Sequence, residues 1–404
     1  MNVNRLYRLT CGVCYHDWGD CGAPGRSPLI AALLGLPADG RPFAELWMGA
    51  LPPRAATVSD WPGSPTLDGL IRQQPRVFLG QALAESGVET LPFLLKILSC
   101  AQPLSIQAHP DRTRAAALHA FDPAHYPDSN HKPEIAVALT PFVALVGFRH
   151  AAEVVADLRR VPALTRFFAG LAEGSAWLRE AYARVFTATA DEVAMALRDS
   201  ANQLENTAAR TGHEDLFRRC AAVFPGDRGA LSIFFMNLMN LQPGEAIYVP
   251  PNEPHAYVEG TIVECMAASD NVVRAGLTRK FVDDKELLRM LSYRPGAPPV
   301  GSGTSADPGV RRYRVPTPEF ELEFRDLHGP AVVPSESCLS LVLILEGDVQ
   351  FATPEWEWTA GRGSVWLWPA TVPSVRATTR SATARWVRAL AGSGTLGGGD
   401  GSLA

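Results

Sequence analysis

The sequence predicts a mainly β fold with a helical insertion: an α+β chain of two related β units and one α-helical domain. Three observations carry that reading. Short apolar runs broken by Gly and Pro fill the chain up to about Arg149. From about His150 to Pro225 apolar residues fall at helical spacing with few strand signals, after which strand-like runs resume. A turn pattern also recurs without gaps, GEAIYVPPNEPH at Gly244–His255 and GSVWLWPATVPS at Gly363–Ser374.

Each segment has its own signal. LPFLLKILSC, LSIQAH and PEIAVAL are rich in strand formers and read as strands. TLDGLIRQQPRVFL and DRTRAAALHAF read as helices, the second with Asp111 placed as its N-cap. AAEVVADLRRVPALTRFFAGL and the three helical stretches after it fill the insertion. A Gly/Ser/Pro-rich linker runs from about Gly296 to Gly309, and strands extend from FELEFRDL to SATARWVRAL. The tail 392–404, GSGTLGGGDGSLA, has too few apolar residues to order itself. The expected division is 1–149 with 226–295 as a catalytic β unit, 150–225 as the insertion, and 310–391 as the second β unit.

Net charge is −5 with both signs dispersed, which argues against a nucleic-acid partner. The N-terminal stretch has no apolar h-region, and the longest apolar runs are too short to span a membrane. Seven scattered cysteines read as reduced thiols in a cytoplasmic protein. Cys11-x-x-Cys14, with Cys21 nearby, lacks the second pair of a four-thiolate zinc site, so these cysteines read as small core residues.

Chemistry concentrates in LSIQAHPD. On a strand, Ser105, Gln107 and His109 share one face and Ile106 and Ala108 the other. If that polar face turns inward, its desolvation needs compensation, and a metal ion is the obvious candidate. Further candidate ligands lie in HKPE (His131, Lys132, Glu134) and in EPHAY (His255). Nitrogen and oxygen donors with an open position favour a catalytic metal over a closed structural one. Lys96, Lys132, Arg274 and Lys280 in the same segments suit an anionic, oxygen-rich substrate such as a sugar phosphate.

The repeated turn resembles the second cupin motif, with Asn252 where that motif usually has Gly. Cupins are double-sheet jelly rolls with a metal inside the barrel, so the resemblance implies two cupin-like jelly-roll units. The first copy keeps His255; the second has Ser374 there and is expected to hold no metal.

YHDWGD, AELWMGA, LPFLLKIL, QPLSIQAHPD, NHKPEIAVALTPFVALVGFR and the stretch from NLQPGEAIYVPPNEPHAY to NVVRAGLTRKFVD together resemble, in order, the type I phosphomannose isomerases. The resemblance implies one zinc ion per chain on Gln107, His109, Glu134 and His255. It also implies interconversion of mannose 6-phosphate and fructose 6-phosphate through a cis-enediol. Arg274 matches the family's active-site arginine. Lys132, Lys96, Ser105 and Asp270 match substrate-binding or acid–base positions, and Trp18, Tyr257 and Lys280 are further substrate candidates. Glu264, Lys132, Asp270 and Tyr257 all stand as candidates for the base. A monomeric enzyme is expected. Two positions depart from the family pattern: Leu51 stands where WMGxH has its His, and Arg279 precedes Lys280 where a Pro is common. Leu51 leaves open a sugar-phosphate binder without turnover. A cupin oxygenase, or an isomerase of another sugar phosphate, is the remaining alternative.

Overall fold

The computed structural model describes residues 4–171, 174, 176–305 and 307–392. The tail expected to be disordered lies, apart from Gly392, outside the described residues. The fold is mixed α+β, and its named sheets pair their strands antiparallel.

The organising element is β11 (His255–Ala267), 13 residues long. Gly260 divides it. Its φ is +112°, and a Cβ there would meet the Pro141 carbonyl oxygen at 2.5 Å, so only glycine fits this corner. Beyond Gly260 the strand pairs with β5 (Phe93–Cys100) and β7 (Glu134–Ala138); before it, with β6 (Ile106–Ala108) and β8 (Phe142–Phe148). One strand thus belongs to two layers. The first runs β13 (Val300–Gly301), β10 (Ala246–Val249), β7, β11, β5, β3 (Glu45–Gly49), β2 (Gly12–Cys14). The second runs β9 (Met236–Leu241), β8, β11, β6, β12 (Val273–Gly276). Part of the expected linker is therefore paired, since Val300–Gly301 lie against Ile247–Ala246.

The C-terminal strands form a second pair of sheets. β14 (Val310–Tyr313), β15 (Phe320–Leu327), β22 (Ala384–Ala391), β17 (Ser340–Glu346) and β20 (Val365–Trp368) are joined by β1 (Tyr7–Thr10) and β4 (Thr57–Val58) from the start of the chain. A four-stranded sheet faces them: β16 (Ala331–Val333), β21 (Val375–Thr379), β18 (Val349–Ala352), β19 (Glu357–Ala360). Phe351, Trp368 and Trp386 fill the core between the two.

Among the described residues the helices Ala151–Arg160, Pro162–Phe167, Trp177–Thr187, Ala190–Glu205 and Gly212–Val223 lie where the spacing predicts helix; two expected helices, one here and one earlier, are split. AAEVVADLRRVPALTRF is two helices, Ala151–Arg160 and Pro162–Phe167, because Pro162 cannot continue the first and pre-sets the first turn of the next. The same break at Pro75 splits Leu67–Gln73 from Pro75–Phe78. Thr189 with Glu192, and Thr211 with Glu214, form capping boxes that fix two later helix starts.

The repeated turn holds as local structure. Gly244 (φ +87°) and Gly363 (φ +79°) each precede a four-residue strand, β10 and β20. Asn252 replaces the usual Gly at φ +65°, a left-handed conformation that Asn tolerates. Ser374 is exposed and its Oγ accepts the Ser335 N–H at 3.1 Å; among the described residues no metal-ligand cluster forms there.

Candidate metal centre and active site

Short-range alternation and long-range register build the site together. Ile106 and Ala108 are fully buried in a core shared with the helices between Ala151 and Val223, so Gln107 points the other way. Gln107 pairs directly with His255 on one side and with Arg274 on the other. Directly paired residues share a face, so an amide, an imidazole and a guanidinium form one row across β11, β6 and β12. Asp111 caps the helix Arg112–Phe121 by accepting the Arg114 N–H at 2.9 Å. Asn252 bonds Asp111 through both amide atoms and donates its own N–H to the His109 carbonyl at 2.7 Å, tying the turn before His255 to the other wall.

His109, Glu134 and His255 are all buried, with ligand atoms within 4.8 Å of one another. Glu134 lies 3.2 Å from His109 Nε2 and 3.4 Å from His255 Nε2. Both imidazoles spend Nδ1–H on a backbone carbonyl: His109 on Asn271 at 2.7 Å, His255 on Glu253 at 3.1 Å. That leaves each Nε2 lone pair facing Glu134. His109 Nε2 is buried with no hydrogen-bond partner, an orphan that costs free energy unless something accepts its lone pair. Burial, with Lys132 adding to it, pushes the His109 imidazole down to about 4 and so keeps it neutral. Burial opposes charge on Glu134, yet the Lys132 ammonium holds its carboxyl well below the usual range. Gln107 Nε2 lies 3.4 Å from His255 Nε2, and turning that amide over brings Oε1 to the same place. Two imidazoles, a carboxylate and an amide oxygen fit a divalent cation such as zinc.

A second row flanks this centre. Trp47, Lys96, Glu264 and Ala136 are successive cross-strand partners on β3, β5, β11 and β7. Lys96 Nζ is 2.5 Å from Glu264 and 3.3 Å from Glu45. Burial alone would strip the ammonium of its charge; Glu264 and Glu45 reverse that and hold it protonated. Burial raises the Glu264 carboxyl, against the pull of Lys96. Lys132 Nζ sits 3.2 Å from Glu134. The Tyr257 hydroxyl donates to Glu134 at 3.4 Å, and burial raises its pKa well above the ordinary value.

Of the other residues singled out, Arg274 is partly buried, and its guanidinium makes no hydrogen bond or ion pair among the described residues. Ser105 donates to Gln107 at 3.5 Å. Trp18 stacks on His16 and packs against the cluster containing Tyr257. Asp270 is exposed; its charge is felt by Arg274, which burial otherwise pushes down. Lys280 and Arg279 are exposed. His131 turns away to Glu319 at 2.8 Å and takes no part. Leu51 packs against Cys14, Trp47, Leu94 and Met266 and brings no polar atom to the site. Sequence reasoning missed Glu45, which balances Lys96; only the alternation of Glu45 and Trp47 in ELWMG hinted at a shared face.

Residues 6–151 match the model of the phosphomannose isomerase type I catalytic domain. The chain is 36% identical to a mannose-6-phosphate isomerase from Macaca fascicularis over 88% of its own length and 90% of the relative's. It is 37% identical to mannose-6-phosphate isomerase 1 from Arabidopsis thaliana, over 86% of each. A zinc-bound crystal structure of mannose 6-phosphate isomerase superposes with a TM-score of 0.84 at 28% identity, covering 96% of this chain and 99% of that one. A mutant of phosphomannose isomerase from Salmonella typhimurium gives 0.85 at 28% identity, with the same coverage. Resemblance along nearly the full length, in sequence and in fold alike, places this chain in the type I phosphomannose isomerase family.

Proposed function

We propose that the chain is a zinc-dependent aldose–ketose isomerase that interconverts mannose 6-phosphate and fructose 6-phosphate. The observation that carries this reading is the convergence of Gln107, His109, Glu134 and His255 beside an unpaired Arg274. The names of the relatives supply the substrate.

Gln107, His109, Glu134 and His255 would hold the zinc. When bound, it supplies Lewis acidity toward a substrate oxygen. Moving a proton between C1 and C2 through a cis-enediol develops negative charge on oxygen. Arg274, with all its donors available, stabilises that charge. A proton carrier must stand within about 3 Å of the moving proton. Glu264 and Lys132 are the buried groups beside the centre suited to this, and Lys96 fixes the Glu264 carboxylate. Tyr257 orients Glu134, and Asp270 biases Arg274. Ser105 and Lys280 take the phosphate at the sugar's non-reacting end, with Trp18 against the sugar.

Residues 1–149 with 226–295 form the catalytic cupin-like barrel in this reading, 150–225 the insertion, and 310–391 a second cupin-like barrel without metal. The enzyme acts as a cytoplasmic monomer. Among the described residues no helix is long and apolar enough to cross a membrane.

The test is a coupled assay of fructose 6-phosphate formation with parallel zinc analysis. Wild type is expected to turn over with one zinc on these ligands, and His255→Ala to lose that zinc and turnover with it. Zinc-replete wild type without turnover on mannose 6-phosphate refutes the reading.

A further inference from the structure

Cys14, His16 and Glu45 take no part in the metal centre above, yet they too bring three ligand atoms together. Cys14 on β2 is the direct cross-strand partner of Glu45 on β3. His16 follows Cys14 by two residues. The thiol, one imidazole nitrogen and one carboxylate oxygen lie within 4.8 Å of one another. Tetrahedral coordination at zinc-like bond lengths separates neighbouring ligand atoms by about 3.5 Å, so closing on an ion takes shifts of about an ångström. His16 Nε2 is already 3.6 Å from Glu45 Oε2.

We infer that Cys14, His16 and Glu45 form a second divalent-cation site with one sulfur, one nitrogen and one oxygen ligand. A thiolate beside an imidazole selects zinc-, cobalt- or cadmium-like ions over magnesium or calcium. Cys14 and Glu45 are buried, whereas the His16 side chain is 36% exposed, so the ion enters past the ring and completes its shell with water. Trp47 Nε1–H donates to Glu45 Oε2 at 2.9 Å, but a carboxylate oxygen has a second lone pair for the ion. Lys96 lies 3.3 Å from Glu45 Oε1; its charge is answered by Glu264 at 2.5 Å, so it does not exclude a cation from the far side of Glu45. Binding forms metal–sulfur, metal–nitrogen and metal–oxygen bonds and releases the thiol proton, and any proton on His16 Nε2, to solvent. The C-x-x-C motif is not this site. Cys11 packs in a different core, with Leu9, Leu34 and Leu46, so the working spacing is Cys14-x-His16.

The test is titration of metal-stripped full-length protein with Co2+, followed by near-ultraviolet absorption and by native mass spectrometry. Two equivalents are expected. The second brings a thiolate-to-cobalt charge-transfer band, because the Gln107/His109/Glu134/His255 set has no sulfur. Cys14→Ser is expected to lose the band and one equivalent. His16→Ala, at a half-exposed position that does not threaten folding, is expected to weaken the second equivalent at least tenfold and keep the first. His255→Ala is expected to do the reverse, which separates this site from the zinc centre. A single equivalent, a wild-type titration without the band, or a band that survives in Cys14→Ser overturns the inference.

Discussion

Lys96 and Glu264 face each other across β5 and β11, Nζ to Oε2 at 2.5 Å, with both side chains almost wholly removed from solvent. Breaking such a pair costs ~3–5 kcal/mol, mainly because the surviving charge is stranded. Glu45 stays beside Lys96 when Glu264 is removed, whereas removing Lys96 strands two carboxylates. Lys96→Met is therefore expected to destabilise more than Glu264→Gln. The double variant Lys96→Met/Glu264→Gln should lose less than the sum of the single changes. Urea unfolding of the three variants checks the order.

Arg274 is partly buried beside Gln107, and its guanidinium makes no hydrogen bond or ion pair among the described residues. Arg274→Ala is expected to lower kcat by on the order of 10²–10³, the cost typical of losing one preorganised charge stabiliser, while zinc content stays at the wild-type level. Arg274→Lys should recover little, since an ammonium does not reproduce the guanidinium fork. Steady-state kinetics with metal analysis on the same samples reads both effects.

Asn252 combines a left-handed backbone with two side-chain bonds to Asp111. Asn252→Gly keeps the backbone freedom and loses the bonds. Asn252→Ala loses the bonds and adds ~1 kcal/mol of strain. Thermal melting should rank wild type above Gly and Gly above Ala, and zinc affinity should fall in the same order because this turn places His255.

The Cys14 and Glu45 side chains beside the ring raise His16 to about 9 in the folded chain. A raised histidine contributes stability that is fully present below its unfolded value near 6.5 and lost as pH rises through about 9. In metal-free protein, His16→Ala should lower Tm at pH 6 and make little difference at pH 10. An equal difference at both pH values contradicts that assignment.

The sequence made the local half of the site legible. Ser105, Gln107 and His109 announce a polar face because side chains on a strand alternate, and Ile106 with Ala108 confirms which face is apolar. Asp111 is readable as a cap for the same short-range reason. The other half depends on register. That Gln107 meets both His255 and Arg274, or that Lys96 sits between Glu45 and Glu264, follows from strands far apart in the chain. The His131–Lys132 pair shows the limit well: adjacent residues leave in different directions, one to Glu319 and one to Glu134. The helix breaks at Pro75 and Pro162 were visible in the sequence, but the helical periodicity around them masked the interruption.

β1 fills a place between β20 and β4 in the C-terminal sheet, with Tyr7 opposite Leu367. Its two partners arrive at very different times during synthesis. At a ribosomal rate of ~5–20 residues per second, the roughly 360 positions between Tyr7 and Leu367 take tens of seconds to emerge. Throughout that interval one edge of β1 is uncovered, and the nascent chain carries an open strand that a neighbouring chain can pair with. Expression should therefore respond to chaperones that hold the N-terminal segment until the last strands are made.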